Sequence, residues 1–446
     1  MLYICLLYTS DAADEGLGVD TKIPISNGDT VTAINFDNAA TTPPFISVLK
    51  EIVNYSPWYS SIHRGIGYKS LVSSKLYEGS RKAVLDFVGG DIEKDTVIYV
   101  KNTTEAINKL SNTLCKDNKQ NFLLSSDMEH HSNDLPWRNK YNIDYVSVDK
   151  CGKLSLKDLE YKLRKNKGKV KLVTVAGASN VTGYVNPIYS IAALAHRYDA
   201  KILVDGAQLV PHAPLDIKAH HSEEHIDYLV FSAHKMYAPF GTGVLIGPID
   251  TFKDSAPDYV GGGTVEIVNR NYIKWKSPPD KEEAGSPNIM GVVALLSAIK
   301  TLGSLGMNNI RNYEESLTQY TINRLKALSD VKLYCVADKF AARVGIISFN
   351  VRGIPHDIIA KILSYEWGIA VRNGCFCAQP YVRKLLNISE EEEEHYIEDN
   401  SIKRPGMVRI SFGMYNDYSE IDLMVDAISE IVTNKEYYLN KYGKEV

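Results

Sequence analysis

Lys235 closes the string Ser232-Ala233-His234-Lys235, just past the apolar run 227–232 and shortly before Gly241-Thr242-Gly243. A lysine past a buried strand, beside a glycine-rich turn, can hold its amine against a carbonyl compound. An earlier apolar run ends in Val204-Asp205-Gly206-Ala207-Gln208. An acid and a lysine at neighbouring strand ends are what pyridoxal 5'-phosphate requires. The lysine forms an imine with its aldehyde, and the carboxylate keeps the pyridinium nitrogen protonated so that the ring accepts electrons. Gly206-Ala207 leaves room for a flat ring, and Gln208 can donate to its phenolic oxygen.

A phosphate needs backbone N–H groups and hydroxyls at a helix start. Lys101-Asn102-Thr103-Thr104-Glu105-Ala106 offers both, after the run 96–100. Alone, the same string also reads as an ordinary capped helix start. Ser232 and His234 add polar donors, and Gly241 and Gly243 let backbone approach closely. Glu129-His130-His131-Ser132-Asn133 follows another strand end. Neighbouring histidines seldom ligate one ion together, and no Cys/His/Asp set with zinc spacing accompanies them, so no metal is expected. A flat imidazole at 130, stacked on the cofactor and moving protons with a pKa near neutrality, fits better. His63-Arg64-Gly65 is a further candidate for the pocket wall.

The loop 371–380 carries Arg372, Cys375 and Cys377. With no second cysteine pair, a tetrathiolate zinc site is excluded. A thiol on a loop hinged by Gly374 and bounded by Pro380 suits an exposed nucleophile. Its thiolate calls for nearby positive charge, from Arg372 or a protonated histidine. Arg409 sits in the apolar stretch 407–412. A buried arginine needs an anion, and a substrate carboxylate held bidentately supplies one.

These residues need a scaffold that brings strand ends together. Seven apolar, β-rich runs (96–100, 121–125, 143–148, 171–176, 201–205, 227–232 and 242–246) alternate with helical patterns such as 105–114, 156–165 and 188–198. Several are apolar at consecutive positions, as expected when both faces of an α/β sheet are covered. Ligands in such sheets sit off the carboxyl ends of the strands. Near 285–288 the pattern changes. Long helical stretches at 289–305 and 310–328 lead to strand candidates at 331–335, 345–350, 369–372 and 407–412 and a helix at 420–434, a smaller α+β unit. The expected division is a non-native or disordered stretch 1–15, a segment 16–49 joining the small domain, a large cofactor-binding domain 50–305 and a small domain 306–446. Ser389 reads as the N-cap of a solvated helix opening with the five glutamates 390–394. With 446 residues, two domains are the default. A net charge of −4 gives no field to draw in nucleic acid or an anionic membrane. The apolar stretch 2–8 is too short to span a bilayer. The scattered cysteines point to a reducing cytoplasm rather than a disulfide framework.

Together the motifs resemble the class V branch of pyridoxal-phosphate fold-type I enzymes, specifically group II cysteine desulfurases and the selenocysteine lyase-like proteins beside them. The resemblance runs from Asn35-Phe36-Asp37-Asn38-Ala39-Ala40 to Ser411-Phe412-Gly413-Met414-Tyr415-Asn416. It takes in Ser179-Asn180, Gly261-Gly262-Gly263 and Glu283-Ala284-Gly285-Ser286-Pro287 on the way. It implies a large domain with a mostly parallel seven-stranded sheet plus a smaller α+β domain. Lys235 then binds the cofactor covalently, and His130 stacks on it and handles protons. Asp205 pairs with the pyridine nitrogen and Gln208 with the phenolic oxygen. Thr103, Thr104, Ser232 and His234 hold the phosphate, with Ser286 reaching across from the second subunit of a homodimer. Asn180 and Arg409 bind the substrate carboxylate, His63 and Arg372 line the substrate pocket, and Cys377 accepts sulfur. The implied activity moves sulfur from L-cysteine to a Cys377 persulfide with release of L-alanine, for a sulfur-acceptor protein of the kind that serves iron–sulfur cluster assembly. A selenocysteine lyase or another class V aminotransferase or epimerase would use Lys235 without a thiol. A sulfur-relay or scaffold protein would bind partners through the Cys377 loop and have lost catalysis. The chain departs from the group II pattern at Cys375 and Phe376, where two histidines are usual. Gly374-Cys375-Phe376-Cys377 is closer to molybdenum cofactor sulfurases, and an acidic insertion separates the loop from Arg409.

Overall fold

The computed structural model describes residues 16–63, 65–115, 122–149, 151–336, 341–399 and 403–443. The expected tail 1–15 and Arg64 lie outside the described residues. Seven strands form one sheet in the order Asp95–Val100, Gly243–Pro248, Tyr228–Ser232, Lys201–Asp205, Val170–Ala176, Phe122–Ser126, Asn142–Val146. All neighbours pair in parallel except around Gly243–Pro248, which runs antiparallel to both of its partners. The mostly parallel seven-stranded sheet is therefore present. All five residues of Tyr228–Ser232 are buried, which is why its sequence is apolar without alternation.

The helices Thr103–Leu114, Leu156–Lys165 and Ile188–Arg197 follow the periodic patterns. The helix Tyr68–Val88, which the apolar pattern does not announce, turns much of its buried face inward as Ser70, Ser73, Ser80 and Arg81. It ends at Gly89, whose φ of 72° is the left-handed conformation that suits glycine at a helix end. Ile289–Leu305 is buried along most of its length and packs on Ile46–Tyr55.

A second, antiparallel sheet has the order Val331–Leu333, Ile346–Val351, Met407–Ser411, Arg372–Gly374. The strand expected at 369–372 is two short ones. Ile369–Ala370 pairs in parallel with Ile34–Asn35, while Arg372–Gly374 turns to pair with Met407–Ser411. That early segment continues along the small sheet, with Asp37 bridging Ser411. Ser389 caps Glu390–Glu398 in a reciprocal box with Glu392, as the acidic run suggested. Among the described residues no single helix is long and apolar enough to cross a membrane. The helices Ile289–Leu305 and Met307–Lys326 reach that length and apolarity only together, and the chain bends by 76° between them.

Candidate active site

The carboxyl ends of Asp95–Val100, Lys201–Asp205 and Tyr228–Ser232 open onto a cavity of about 230 Å³. All the expected site residues line it except two, Ser286 and His63. Ser286 is exposed and lines a different hollow, with Tyr99 and Glu283. His63 is exposed, 3.6 Å from Glu78, and its ring meets the Tyr77 edge. In a single chain neither reaches Lys235.

The short 3-10 turn Ala233–Lys235 lifts Lys235 off its strand. Burial depresses its amine to about 8, against the opposing pull of Asp205. Asp205 is buried, accepts the Ala207 N–H at 3.0 Å, and is raised above the usual carboxylate range by burial. Gly206 does not make room for a ring. A Cβ there would lie 2.8 Å from Val210 and 2.9 Å from Leu229, so the glycine serves close packing beneath the site, and Ala207 alone lines the cavity. Gln208 gives one amide N–H to the Ala39 carbonyl at 2.7 Å, and its buried Oε1 has no partner among the described residues.

The phosphate-type turn is braced by its own side chains. Asn102 caps the helix through the Glu105 N–H. Thr103 bonds Ser232 twice, by its N–H at 2.8 Å and its hydroxyl at 2.7 Å. The Thr104 hydroxyl meets that of Ser132 at 2.6 Å. Gly243 is required here, because a Cβ would lie 2.6 Å from the Asn102 Cα.

His130 differs from expectation in its charge. Burial, with Lys235, His131 and Arg409 nearby, pushes it down to about 3, so the ring is neutral rather than poised near pH 7. Its Nδ1 accepts the Ser132 N–H at 3.1 Å, which places the ring proton on Nε2. Burial also lowers His131 and, to about 4, His234. A protonated histidine therefore does not supply the positive charge for Cys377. Lys235, Arg372 and Arg409 are the cations that share its cavity.

Arg409 is 3% exposed, gives Nη1–H to the Asn180 carbonyl at 2.9 Å, and reaches Asp37 with Nη2 at 3.1 Å. Its Nε is buried without a partner among the described residues, and the Phe376 ring lies over the guanidinium, 4.9 Å from its carbon to the ring centroid. Burial lowers it to about 10. Asn180 uses its amide N–H on the Phe376 carbonyl at 2.7 Å. Cys375 packs inward, 3.4 Å from the Pro405 carbonyl, with its thiol pushed up by burial. Cys377 lines the cavity and is exposed.

Three contributors stand in quoted strings without being singled out by sequence: Asp37, shared by Arg409 and Arg372; Ser132; and His131, whose N–H holds the Cys377 carbonyl. No spacing signals Asp37, because both its partners lie over three hundred residues away.

The family model described as Aminotransferase class-V matches residues 34–424. The chain belongs to this family. A relative named cysteine desulfurase from Haloferax volcanii is 32% identical over 421 residues, covering 92% of each chain. A cysteine desulfurase from Escherichia coli O127:H6 is 32% identical over 84% of this chain and 87% of its own. Among solved structures, the apo cysteine desulfurase from Thermococcus onnurineus NA1 superposes with a TM-score of 0.80 at 31% identity, covering 93% of this chain and 98% of its own. The architecture is thus that of the pyridoxal-phosphate fold type I enzymes, and the family uses pyridoxal 5'-phosphate. The residues fit that group. A buried acid and a depressed lysine amine face one cavity, a helix start opens into it, and Gln208, whose amide nitrogen has one N–H on Ala39 and a second to give, lines it with Arg409.

Proposed function

We propose that this enzyme is a cysteine desulfurase that takes sulfur from L-cysteine onto Cys377 and releases L-alanine. The observation that carries it is the common cavity, which brings a thiol, Cys377, to the lysine and arginine that would hold an amino acid. Selenocysteine lyase or aminotransferase chemistry needs no such thiol. The names of the relatives, conserved in length with this chain, support the same reading.

Lys235, Asp205 and Gln208 would hold the cofactor ring. His130 would cover its face, and Thr104, Ser232 and His234, with the N–H groups of the helix start, would hold its phosphate. Bound pyridoxal phosphate supplies an electron sink that lets a substrate amino acid lose its Cα proton. Lys235 takes that proton, which an amine depressed to about 8 can do near neutral pH. Arg409, in the cavity wall and steadied by Asp37 and the Asn180 carbonyl, would fix the substrate carboxylate. The Cys377 thiolate then attacks the substrate sulfur. An S–S bond forms, the Cβ–S bond breaks with its electron pair left on Cβ, which takes up a proton to become a methyl group, and Lys235 returns its proton to Cα to complete alanine. One cysteine and one enzyme thiol thus give one alanine and one persulfide.

Ser286 lies away from the cavity of its own chain, which supports a homodimer in which it serves the partner's phosphate. The free thiols Cys115, Cys151, Cys335, Cys375 and Cys377 support a reducing, cytoplasmic setting. A sulfur-acceptor protein would collect the persulfide from the exposed loop. The test is mass spectrometry of the enzyme after limiting L-cysteine. One extra sulfur on the peptide bearing Cys377, matched by alanine, is expected. Alanine without any persulfide on the chain would refute the assignment.

A further inference from the structure

Two histidines and an aspartate meet at the end of the large sheet opposite Lys235. Asp95 opens the strand Asp95–Val100 and is 3% exposed. His220 and His225 lie on the segment that leads into Tyr228–Ser232. One ligand atom from each of the three side chains lies within 4.8 Å of the other two. The two imidazoles face each other with centroids 4.2 Å apart and planes inclined by 34°.

Hydrogen bonding fixes what each group offers. Nδ1 of His225 lies 3.0 Å from the Ile217 carbonyl and 2.9 Å from that of Lys218. Carbonyls only accept, so Nδ1 carries the proton and Nε2 presents a lone pair. His225 is 4% exposed, and that Nε2 has no partner among the described residues. A buried acceptor without a donor is a cost the fold has left standing. Nε2 of His220 lies 2.9 Å from Asp95 Oδ1, and Asp95 Oδ2 accepts the Asp91 N–H at 2.9 Å. A backbone-anchored imidazole and an amide-anchored carboxylate are the outer supports that orient metal ligands.

We propose that Asp95, His220 and His225 bind a divalent transition metal of the zinc class, with water in the fourth position. Imidazole nitrogens with one carboxylate suit zinc, whereas calcium and magnesium take oxygen ligands. Ligand atoms around a tetrahedral zinc stand about 3.3–3.5 Å apart. His220, only partly buried, is the group that turns from its contact with Asp95 to admit the ion. The ion would lie at the end of the sheet away from Lys235. It clips the segment that already bonds Val88 through the Ile217 N–H, at 2.8 Å, onto the start of an outer strand. The length of that strand, roughly 17 Å, separates it from the phosphate turn. No sequence motif announces it, because Asp95 precedes His220 by 125 residues.

The test uses the full chain with its cofactor bound, dialysed against a chelator and then titrated with Zn2+ or Co2+. About one equivalent is expected to be retained per chain, falling to less than about a tenth in His225→Gln and Asp95→Asn. Bound Co2+ should show four-coordinate d–d absorption without the thiolate charge-transfer band that Cys375 or Cys377 would give. Zn2+ should raise the unfolding midpoint of the parent but not of His225→Gln, and Cys377→Ala should keep the metal. His220→Gln, at a partly exposed position, stands in if the buried variants fail to fold. The proposal is overturned if the parent retains no metal, if the ligand variants bind it equally well, or if only Cys377→Ala loses it. None of these readouts depends on sulfur release, so failure here leaves the desulfurase reading untouched.

Discussion

The backbone N–H of His131 donates to the carbonyl of Cys377 at 2.7 Å. This bond ties the thiol loop to the turn that carries His130. Phe376 and Cys377 both adopt left-handed backbone, with φ of 52° and 54°, a conformation that disfavours residues with a Cβ. The His131 bond, the Asn180 amide on the Phe376 carbonyl and the Ala378 N–H on the Cys375 carbonyl offset that cost. The loop therefore presents its sulfur to the cavity from a defined position.

Cys377→Ser keeps this geometry and removes only the nucleophile. Its visible cofactor absorbance should match the parent, while alanine formation from L-cysteine should fall by about 10²-fold or more. Parallel spectra with alanine formation near the parent rate would remove Cys377 from the mechanism.

Arg409→Lys probes the carboxylate fork. A lysine could still meet Asp37, yet it lacks the planar guanidinium that Asp37 and the Asn180 carbonyl steady in the cavity wall. We expect kcat/KM for L-cysteine to fall about 10²-fold, roughly 3 kcal/mol, mostly through KM. An unchanged kcat/KM would mean that the substrate carboxylate binds elsewhere.

The cofactor half of this site was readable in sequence because its residues sit at the ends of apolar strands, where the sheet itself decides their position. Asp205, Ser232 and Lys235 needed only the strand pattern and the rule that ligands gather at carboxyl ends. The charge of His130 was not readable. It depends on burial and on cations brought in by Lys235 and Arg409, which sequence cannot place. Gly206 misled for a related reason. A glycine beside a catalytic acid suggests space for a ring, and only the neighbouring strand shows that Leu229 and Val210 fill it. The helix Tyr68–Val88 escaped because serines and an arginine occupy much of its buried face, which blunts the apolar period.

Acid should expose the neutral state of His130. Its folded pKa, about 3, lies below the ordinary 6.5. Between those values the unfolded chain binds a proton that the folded one refuses. Stability from this group is thus full above pH 6.5 and is lost as pH falls towards 3, by at most about 1.4 kcal/mol per unit. His130→Gln does not titrate. In urea unfolding of the cofactor-free protein, the stability of the parent relative to this variant should decline below pH 6.5, and other groups cancel in the difference. A gap that stays flat with pH would show that the ring protonates normally in the fold.

Gly243→Ala tests whether the phosphate turn is set by the reversed strand behind it. Gly243 pairs with Val100 on one side and Ser232 on the other, and its Cα faces Asn102. An added methyl carbon would stand 2.6 Å from the Asn102 Cα and 2.8 Å from its carbonyl carbon. Backbone cannot yield there as a flexible side chain would, so the turn must move away from Ser232. That movement would loosen the paired bonds between Thr103 and Ser232. The strain should cost about 1–3 kcal/mol of stability. Pyridoxal phosphate affinity, measured by recovery of visible absorbance in the cofactor-free protein, should weaken about tenfold or more. A variant that loses stability but binds the cofactor as tightly as the parent would show that the turn holds its shape without support from the reversed strand.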